Sequence, residues 1–471
     1  MKTRLAPYAP FCGAPRITAA QVFGASPDKP FLWRIPVLGQ RPVTVTASGL
    51  PDGLSLDGQI VRGTSPAAGE YAVTLRAENA LGTDEKTVLL KIAPDGMLQT
   101  PLLGFTTWNA YMDAVTDEDI RRTADDLVRL GLTEYGYSYV NLDSSWQDSY
   151  GGEFDAIQPC DRFPDMKGMY GHLHSLGLKG GIYSTPFLHA WGCPPDREWI
   201  PGCTRGEADI RFPDINTGIG TEHCEAQNVR QWTEWGVDYL KYDWRPTDTV
   251  NADLMKQALM RSEREIAMCV TVLASEVYWR YWAANCCSFR NNNDTYDIWD
   301  NVVRRMDTVD RWAGKTAPGH FYDLDMLSYG PMVMNDGKCR FTPEEALSHM
   351  TLHAFFPSPI QLSMRLHEAS GFELALAGNE EVIAVNQDVL CDYPVKMDAP
   401  AGCRAWTRKM QNGESVIAVF NLADETRRIT LPLRVPSRIR DLWAKENLGI
   451  APDLTVILDA HEAGLYRIRR C

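Results

Sequence analysis

Apolar, strand-like runs alternate with helical segments across the middle of the chain. Between the first two runs, "TDEDIRRTADDLVRLG" places its apolar residues on one helical face, with Thr116 as predicted N-cap and Asp119 at the third helical position of a capping box. The alternation over roughly 290 residues predicts an α/β fold with a (β/α)8 TIM barrel rather than an open parallel sheet. The predicted strands are "LLGFTTW" (102–108), "YSYVNLD" (137–143), "KGGIYS" (179–184), "VDYLKYD" (237–243), "AMCVTVLA" (267–274), "SFRNNND" (288–294), "GHFYDLD" (319–325) and "SPIQLS" (358–363).

Strands of period two flank this region on both sides. Residues 17–93, with "RPVTVTASGLPDGLSL" and "GEYAVTLRAENALG", predict a small β-sandwich, and from about residue 391 "ESVIAVFNLAD" and "GLYRIRR" predict a C-terminal antiparallel β domain. The first unit resembles the immunoglobulin-like domains that precede many bacterial carbohydrate-active enzymes. We interpret it as a packing spacer rather than a sugar-binding module, because no cluster of exposed aromatic residues stands out in it. The predicted domains are 1–97, 98–390 and 391–471.

Charge and hydropathy narrow the range of partners. The chain of 471 residues has a net charge of -14, which disfavours nucleic acids and anionic membrane surfaces as partners and favours a neutral or cationic ligand. The sequence contains no apolar run of about 18 residues, so no transmembrane helix is predicted. The N-terminus has no apolar core of a signal peptide, so we expect a cytoplasmic location unless a leader has been removed. The sequence does not indicate an oligomeric state.

Metal-binding patterns are weak. The 12 cysteines contain no C-x-x-C pair, so no zinc site is predicted. Cys193 and Cys203 are candidates for a loop disulfide, although free thiols are the favoured interpretation. His349 and His353 have the spacing of metal ligands on a helix, but no third ligand accompanies them, so we favour helix packing.

Carboxylates follow the predicted strands at the end where a barrel of this type carries its active site. Asp143, Asp243 and Asp294 end the second, fourth and sixth strands, and Asp323 and Asp325 end the seventh. A lysine precedes one of them: Tyr239, Lys241 and Asp243 share one face of their strand. A buried charged pair costs several kcal/mol of desolvation per ion, which favours a functional role over a structural one. We expect Lys241 to hold Asp243 in its ionised form.

Glycoside hydrolysis requires two carboxylates, and Asp243 and Asp294 are the candidates. Arg290, four residues before Asp294, is positioned to bind a substrate hydroxyl or a neighbouring carboxylate. A class I aldolase with Lys241 as Schiff base and a non-catalytic sugar-binding barrel are weaker alternatives. Borohydride trapping would reveal the former, and the presence of both aspartates disfavours the latter.

Taken together, these motifs resemble glycoside hydrolase family 27, the α-galactosidase and α-N-acetylgalactosaminidase family, from about residue 101 to 471. The resemblance rests on "LLGFTTWNAY", "ADDLVRLGLTEYGYSYVNLDSSW", "GLKGGIYS", "WTEWGVDYLKYD", "FRNNND", "DLDML" and "EVIAVNQD". It implies a retaining mechanism without a cofactor, with Asp243 as nucleophile and Asp294 as general acid/base. Carboxyl groups about 5 to 5.5 Å apart are then expected. Positions that match the family's pocket for the terminal sugar are Trp108, Asp143, Tyr183, Lys241, Arg290 and Asp325.

The sequence departs from the family at several pocket positions. Ser144 stands where the family commonly has a second aspartate, which weakens the expectation of strict galactose recognition. "YDWRP" lacks the cysteine that often bridges this strand end to an upstream loop. Either Ser275 or Glu276 falls where the family discriminates the substituent at the sugar's 2-position. We therefore expect an α-linked, galactose-like terminal residue, with α-N-acetylgalactosaminides, β-L-arabinopyranosides and an isomaltodextranase-like specificity as alternatives.

Overall fold

A computed structural model of the chain describes residues 5–94, 96–193, 197–209 and 218–471. The N-terminal part is a β-sandwich of a four-stranded sheet and a three-stranded sheet. Inward-facing residues such as Trp33, Val61 and Leu75 form its core. Its strands are β1 (Arg16–Ile17), β2 (Val22–Ala25), β3 (Pro30–Arg34), β4 (Val37–Leu38), β5 (Thr44–Ser48), β6 (Leu54–Asp57), β7 (Ile60–Thr64), β8 (Gly69–Asn79) and β9 (Gly82–Ile92).

The central part is an eight-stranded parallel sheet that confirms the predicted barrel. A parallel bridge between Leu327 and Leu362 joins the two ends of the sheet and closes the ring. The barrel strands are β10 (Leu103–Thr106), β11 (Tyr139–Asn141), β14 (Lys179–Ser184), β17 (Tyr239–Asp243), β18 (Ala267–Thr271), β19 (Ser288–Phe289), β20 (Phe321–Tyr322) and β21 (Ile360–Leu362). Two hairpins extend from the loops, formed by β12 (Gln147–Gly151) with β13 (Ala156–Pro159) and by β15 (Thr204–Asp209) with β16 (Ile219–His223).

Helices surround the barrel. The second helix begins as predicted: Thr116 accepts a hydrogen bond from the Asp119 backbone N–H, and the Asp119 carboxylate accepts one from the Thr116 N–H. The helices are α1 (Trp108–Tyr111), α2 (Asp117–Arg129), α3 (Met166–Ser175), α4 (Glu225–Trp235), α5 (Thr249–Met260), α6 (Trp279–Asn285), α7 (Trp299–Val309), α8 (Pro343–Phe355), α9 (Gly371–Ala377) and α10 (Glu380–Asn386).

The C-terminal part is an antiparallel sheet of six strands, as predicted. It packs on α8: the Trp443 indole N–H donates to Thr351 Oγ1 at 3.0 Å, and buried Arg408 donates to the Phe355 carbonyl at 2.9 Å. Its strands are β22 (Val395–Met397), β23 (Cys403–Lys409), β24 (Ser415–Asn421), β25 (Arg427–Asp441), β26 (Glu446–Leu458) and β27 (Ala463–Arg470).

The N-terminal sandwich covers the N-terminal ends of the barrel strands. Buried Glu134, between α2 and β11, forms salt bridges with Arg34 at 3.3 Å and Arg41 at 3.0 Å. Arg34 also donates to the Leu176 carbonyl, between α3 and β14. Because these turns precede barrel strands, the sandwich lies on the face opposite the carboxyl ends of the strands. This position agrees with its interpretation as a packing unit.

The structure also decides the predictions for the cysteine pair, the histidine pair and transmembrane helices. Cys203 is a free, buried thiol 2.9 Å from Ser184 Oγ, so the alternative of a Cys193–Cys203 disulfide is wrong. His349 and His353 are buried on α8 with their rings in edge contact, which confirms helix packing. Among the described residues, no helix is long and apolar enough to cross a bilayer.

Candidate active site

The carboxyl ends of the barrel strands bring most of the predicted site residues together. Asp143, Lys241, Arg290 and Asp325 line one small cavity at the end of the barrel, together with Thr271. Asp243 and Asp294 are not among its described lining residues and adjoin this group through Thr271 and Arg290. The first four residues come from four different strand ends, and the parallel arrangement of the strands directs these ends to one face. The strand-end pattern in the sequence therefore identified a real constellation of charges.

Lys241 forms its ion pair with Asp143. Its Nζ lies 2.7 Å from Asp143 Oδ2, while Asp143 Oδ1 accepts the backbone N–H of Ser144 at 2.8 Å. Burial alone would lower the pKa of Lys241, but the charges of Asp143 and Asp243 outweigh it and raise this pKa above its ordinary value. The lysine is therefore a fixed cation in the site.

The environment of Asp243 differs from the expectation. Its Oδ1 accepts a hydrogen bond from Thr271 Oγ1 at 3.2 Å. Burial raises its pKa, and the nearby cations Lys241 and Arg290 counteract this without cancelling it. Lys241 acts on Asp243 in the expected direction, because its charge lowers the pKa of this carboxyl, but its ion pair is with Asp143 and burial leaves the pKa of Asp243 above its ordinary value.

Arg290 forms ion pairs with two carboxylates, one exposed and one buried. Its Nη2 lies 2.7 Å from Asp294 Oδ1 and its Nη1 lies 2.6 Å from Asp325 Oδ2. The guanidinium is buried, whereas 59% of the Asp294 side chain is exposed. The predicted contact of Arg290 with a neighbouring carboxylate is confirmed, and Asp294 is the carboxylate at the opening.

Asp325 is held rigidly in an uncommon backbone conformation. Its φ is 77°, in the left-handed region, and its backbone N–H donates to Asp323 Oδ1 at 2.7 Å. Its own Oδ2 accepts the Thr295 N–H at 2.7 Å. Burial would raise the pKa of Asp325, but Arg290 and Arg305 outweigh it and lower the pKa to about 2. Asp325 therefore favours its anionic form, and it holds Arg290 and, through Thr295, the segment that carries Asp294.

A loop after β14 forms another wall of the site. The Ser144 hydroxyl donates to the carbonyl of Trp191, so this loop engages the serine next to Asp143. The next residue, Gly192, has a φ of +75°, and a Cβ there would lie 2.8 Å from the Trp108 ring. Trp191 packs beside buried Tyr183. The structure thus groups Trp108, Ser144 and Tyr183 around one loop.

An arginine supports this loop where the sequence lacks a disulfide. Arg245, two residues after Asp243, places its guanidinium 5.1 Å from the centre of the Trp191 ring. A cation–π contact of this kind contributes about 0.5 to 2 kcal/mol. It joins the end of β17 to the upstream loop without a covalent bond.

Ser275 lies outside the buried group of charges. It is half-buried and its hydroxyl accepts the Val277 N–H at 3.4 Å, capping the 3-10 turn Glu276–Tyr278. Glu276 is exposed. Neither is among the described residues that line the cavity. Their roles at the 2-position remain predictions.

Sequence reasoning missed several supporting residues. Arg305, on α7, adds a second cation 3.8 Å from Asp325, and neither its spacing nor its neighbours mark it as part of the site. Trp191 and Arg245 resemble ordinary loop residues in the sequence. Asp323 was visible as a strand-end carboxylate, and its pKa is raised by burial and by the adjacent charge of Asp325.

Sequence comparison with known proteins identifies three regions. Residues 216–388 match the family model described as "Alpha galactosidase A", and residues 401–468 match "Alpha galactosidase C-terminal beta sandwich domain". Residues 14–93 match "Putative Ig domain". An alpha-galactosidase of Coffea arabica is 30% identical over 404 residues, which cover 82% of this chain and 97% of the relative. An alpha-galactosidase of Oryza sativa subsp. japonica is 26% identical over 392 residues, covering 79% and 85%.

Solved structures agree with these matches. A Bacteroides fragilis protein described as a "putative alpha-galactosidase/melibiase" is 27% identical with a TM-score of 0.86, covering 98% of this chain and 99% of that chain. A family 27 β-L-arabinopyranosidase of Geobacillus stearothermophilus is 23% identical with a TM-score of 0.71, covering 79% and 98%. The second likeness supports the fold alone.

Proposed function

Because the chain belongs to glycoside hydrolase family 27, we propose that it hydrolyses a terminal α-linked, galactose-like residue with retention of configuration. It is a glycosidase that acts on O-glycosyl bonds of a carbohydrate substrate. The proposal assigns the chemistry to Asp243 and Asp294 in the barrel of residues 98–390, with residues 1–97 and 391–471 as flanking domains. No cofactor takes part in the proposed steps.

The first step forms a covalent intermediate. An Asp243 carboxylate oxygen attacks the anomeric carbon, the bond from that carbon to the glycosidic oxygen breaks, and Asp294 gives its proton to the departing oxygen. In the second step, water attacks the same carbon and Asp294 takes the water's proton, while the bond to Asp243 breaks. Two inversions give net retention.

The observation that carries this proposal is the difference between the two carboxylates. Asp243 is half-buried and lies in the field of the cations Lys241 and Arg290, whereas Asp294 is exposed and contacts Arg290 at 2.7 Å. A nucleophile must reach the sugar carbon inside the pocket, and a proton donor must reach the leaving oxygen at its entrance. The burial of each aspartate fits the role proposed for it.

Charged groups around the cavity support recognition of sugar hydroxyls. The Lys241–Asp143 pair and Asp325 offer fixed donors and acceptors of hydrogen bonds. The Ser144 hydroxyl is engaged by the Trp191 carbonyl, so the side chain at position 144 offers the sugar less than the aspartate common in the family. We therefore include in the proposal a tolerance for sugars that differ from galactose next to this position.

The test is initial-rate hydrolysis of aryl glycosides by the folded chain and by Asp243→Asn and Asp294→Asn. The panel comprises α-galactoside, α-N-acetylgalactosaminide, β-L-arabinopyranoside and α-glucoside. We expect one preferred sugar, with hydrolysis lost in Asp243→Asn and reduced most for poor leaving groups in Asp294→Asn. Full activity in Asp243→Asn would contradict the proposal.

A further inference from the structure

Exposed apolar side chains gather on one side of the barrel mouth. We call them the apolar rim, and Val277 is 79% exposed. They lie in the loops that follow the neighbouring strands β18 and β19. A group of large apolar side chains in water on an acidic protein indicates a binding surface. The members of the apolar rim are Leu273, Val277, Tyr278, Tyr296 and Ile298.

Part of the apolar rim continues directly from Asp294. Along residues 294–298 exposure alternates: Asp294, Tyr296 and Ile298 are exposed, and Thr295 and Asp297 are buried. The buried residues are anchored, since the Thr295 N–H donates to Asp325 at 2.7 Å and Asp297 contacts Arg340 at 2.7 Å. The chain bends at Asp297, where the Ile298 N–H donates to the Tyr296 carbonyl at 2.8 Å, so the exposed tyrosine and isoleucine follow Asp294 in one short, anchored segment.

The loop after β18 is fixed to the same segment. The Ala274 N–H donates to the Arg290 carbonyl at 2.8 Å, and the Asn291 amide donates to the Ala274 carbonyl. The Trp282 indole donates to the Ser275 carbonyl at 2.9 Å and holds the following turn. Leu273, Val277 and Tyr278 therefore lie in a loop that is hydrogen-bonded to the segment leading to Asp294.

We propose that the apolar rim binds the leaving group, an aglycone with an alkyl or aryl surface next to the glycosidic oxygen. This inference rests on the proposed role of Asp294. A proton donor must lie within hydrogen-bonding distance of the leaving oxygen, so the aglycone attached to this oxygen lies next to Asp294 and contacts the residues around it. Aliphatic side chains, which form most of the apolar rim, bury alkyl or aryl carbon well but do not satisfy sugar hydroxyls.

The test is kcat/KM for an alkyl glycoside series, from methyl to octyl, of the sugar that the aryl panel prefers. A fully buried methylene is worth about fourfold, and on an open surface we expect about twofold per added methylene until the surface is covered. Val277→Ser and Tyr296→Ser should flatten this rise, which lowers the ratio of kcat/KM for the octyl glycoside to that for the methyl glycoside. Val395→Ser, with 65% exposure on the C-terminal sheet, is the matched control and should keep the rise.

Other outcomes overturn the inference in distinguishable ways. Equal kcat/KM for methyl and octyl glycosides would show that the apolar rim does not bind the aglycone, and the proposed function would stand. If kcat/KM does not depend on alkyl chain length but a disaccharide is strongly preferred, and Tyr296→Ser abolishes this preference, the apolar rim binds a sugar leaving group instead. A lower molecular mass in solution for Val277→Ser, again without dependence on chain length, would mean that a second copy covers it. Failure to hydrolyse every aryl glycoside would overturn the proposed function, and this inference with it.

Discussion

The attachment of the N-terminal sandwich to the barrel depends on one buried carboxylate. Glu134 is 2% exposed, accepts a hydrogen bond from Arg34 at 3.3 Å and forms a salt bridge with Arg41 at 3.0 Å. It also accepts the Val37 N–H at 3.1 Å and the Gln59 amide at 3.0 Å. Glu134→Gln keeps the size and one acceptor oxygen of the side chain but removes the charge between the two arginines.

The cost of this substitution follows from burial. Removing one partner of a buried ion pair costs about 3 to 5 kcal/mol. The side chains of Arg34 and Arg41 are 13% and 31% exposed, so water partly solvates them after the change, and we expect the lower end of that range. A loss of about 3 kcal/mol corresponds to about a 100-fold change in the unfolding equilibrium.

Urea unfolding followed by tryptophan fluorescence measures this loss, with kcat/KM in buffer as a second readout. Glu78→Gln is the matched control, because Glu78 forms an exposed pair with Arg76 at 3.1 Å in the same domain. We expect the control to lose no more than about 0.5 kcal/mol. Activity in buffer should be the same in both variants, since Glu134 lies opposite the barrel mouth.

Equal stability of Glu134→Gln and Glu78→Gln would refute the reasoning from burial. Loss of activity in a Glu134→Gln protein that remains folded would refute the separation of this contact from the active site.

Further predictions concern the site itself. Lys241→Met leaves Asp143 buried without its cation, so we expect kcat/KM to fall at least 100-fold and the free energy of unfolding to fall by about 3 kcal/mol, with Asp143→Asn in the same chain restoring stability but not activity. Burial raises the pKa of Asp243 and the nucleophile must be ionised, so kcat/KM should decline as pH falls through a value above the ordinary 4 or so for aspartate. A pH profile with its acid limb below that value would contradict this assignment. Ser144→Asp should change the preference among aryl glycosides at least tenfold, and an unchanged preference would mean that position 144 does not set specificity.

Much of the site could be predicted because it depends on local pattern. Alternation along a strand placed Lys241 and Asp243 on one face. The strand-end rule selected Asp143, Asp294 and Asp325, but the strands are shorter than predicted, and these residues lie two, five and three positions beyond the ends of β11, β19 and β20. These signals need only a few neighbouring residues. The partner of Lys241 could not be predicted in this way, because Asp143 lies 98 positions away and the pairing depends on the closed barrel.

The arrangement of the domains also lay beyond the sequence. Glu134, in "GLTEYG", looks like an ordinary polar residue in a turn, and only the packed structure shows it buried between two arginines of another domain. The contact between Arg245 and Trp191 is similar. This contact forms because two loops that are distant in the sequence lie side by side in the fold, and no local motif indicates it.

The most direct test of the account is to identify the carboxylate that bonds to the sugar. The enzyme is incubated with a fluorinated glycosyl substrate that forms the intermediate quickly and hydrolyses slowly, and its peptides are then analysed by mass spectrometry. The account predicts the added mass of the fluorosugar on the peptide that contains Asp243, and no added mass in Asp243→Asn. A label on any other carboxylate would contradict the central claim.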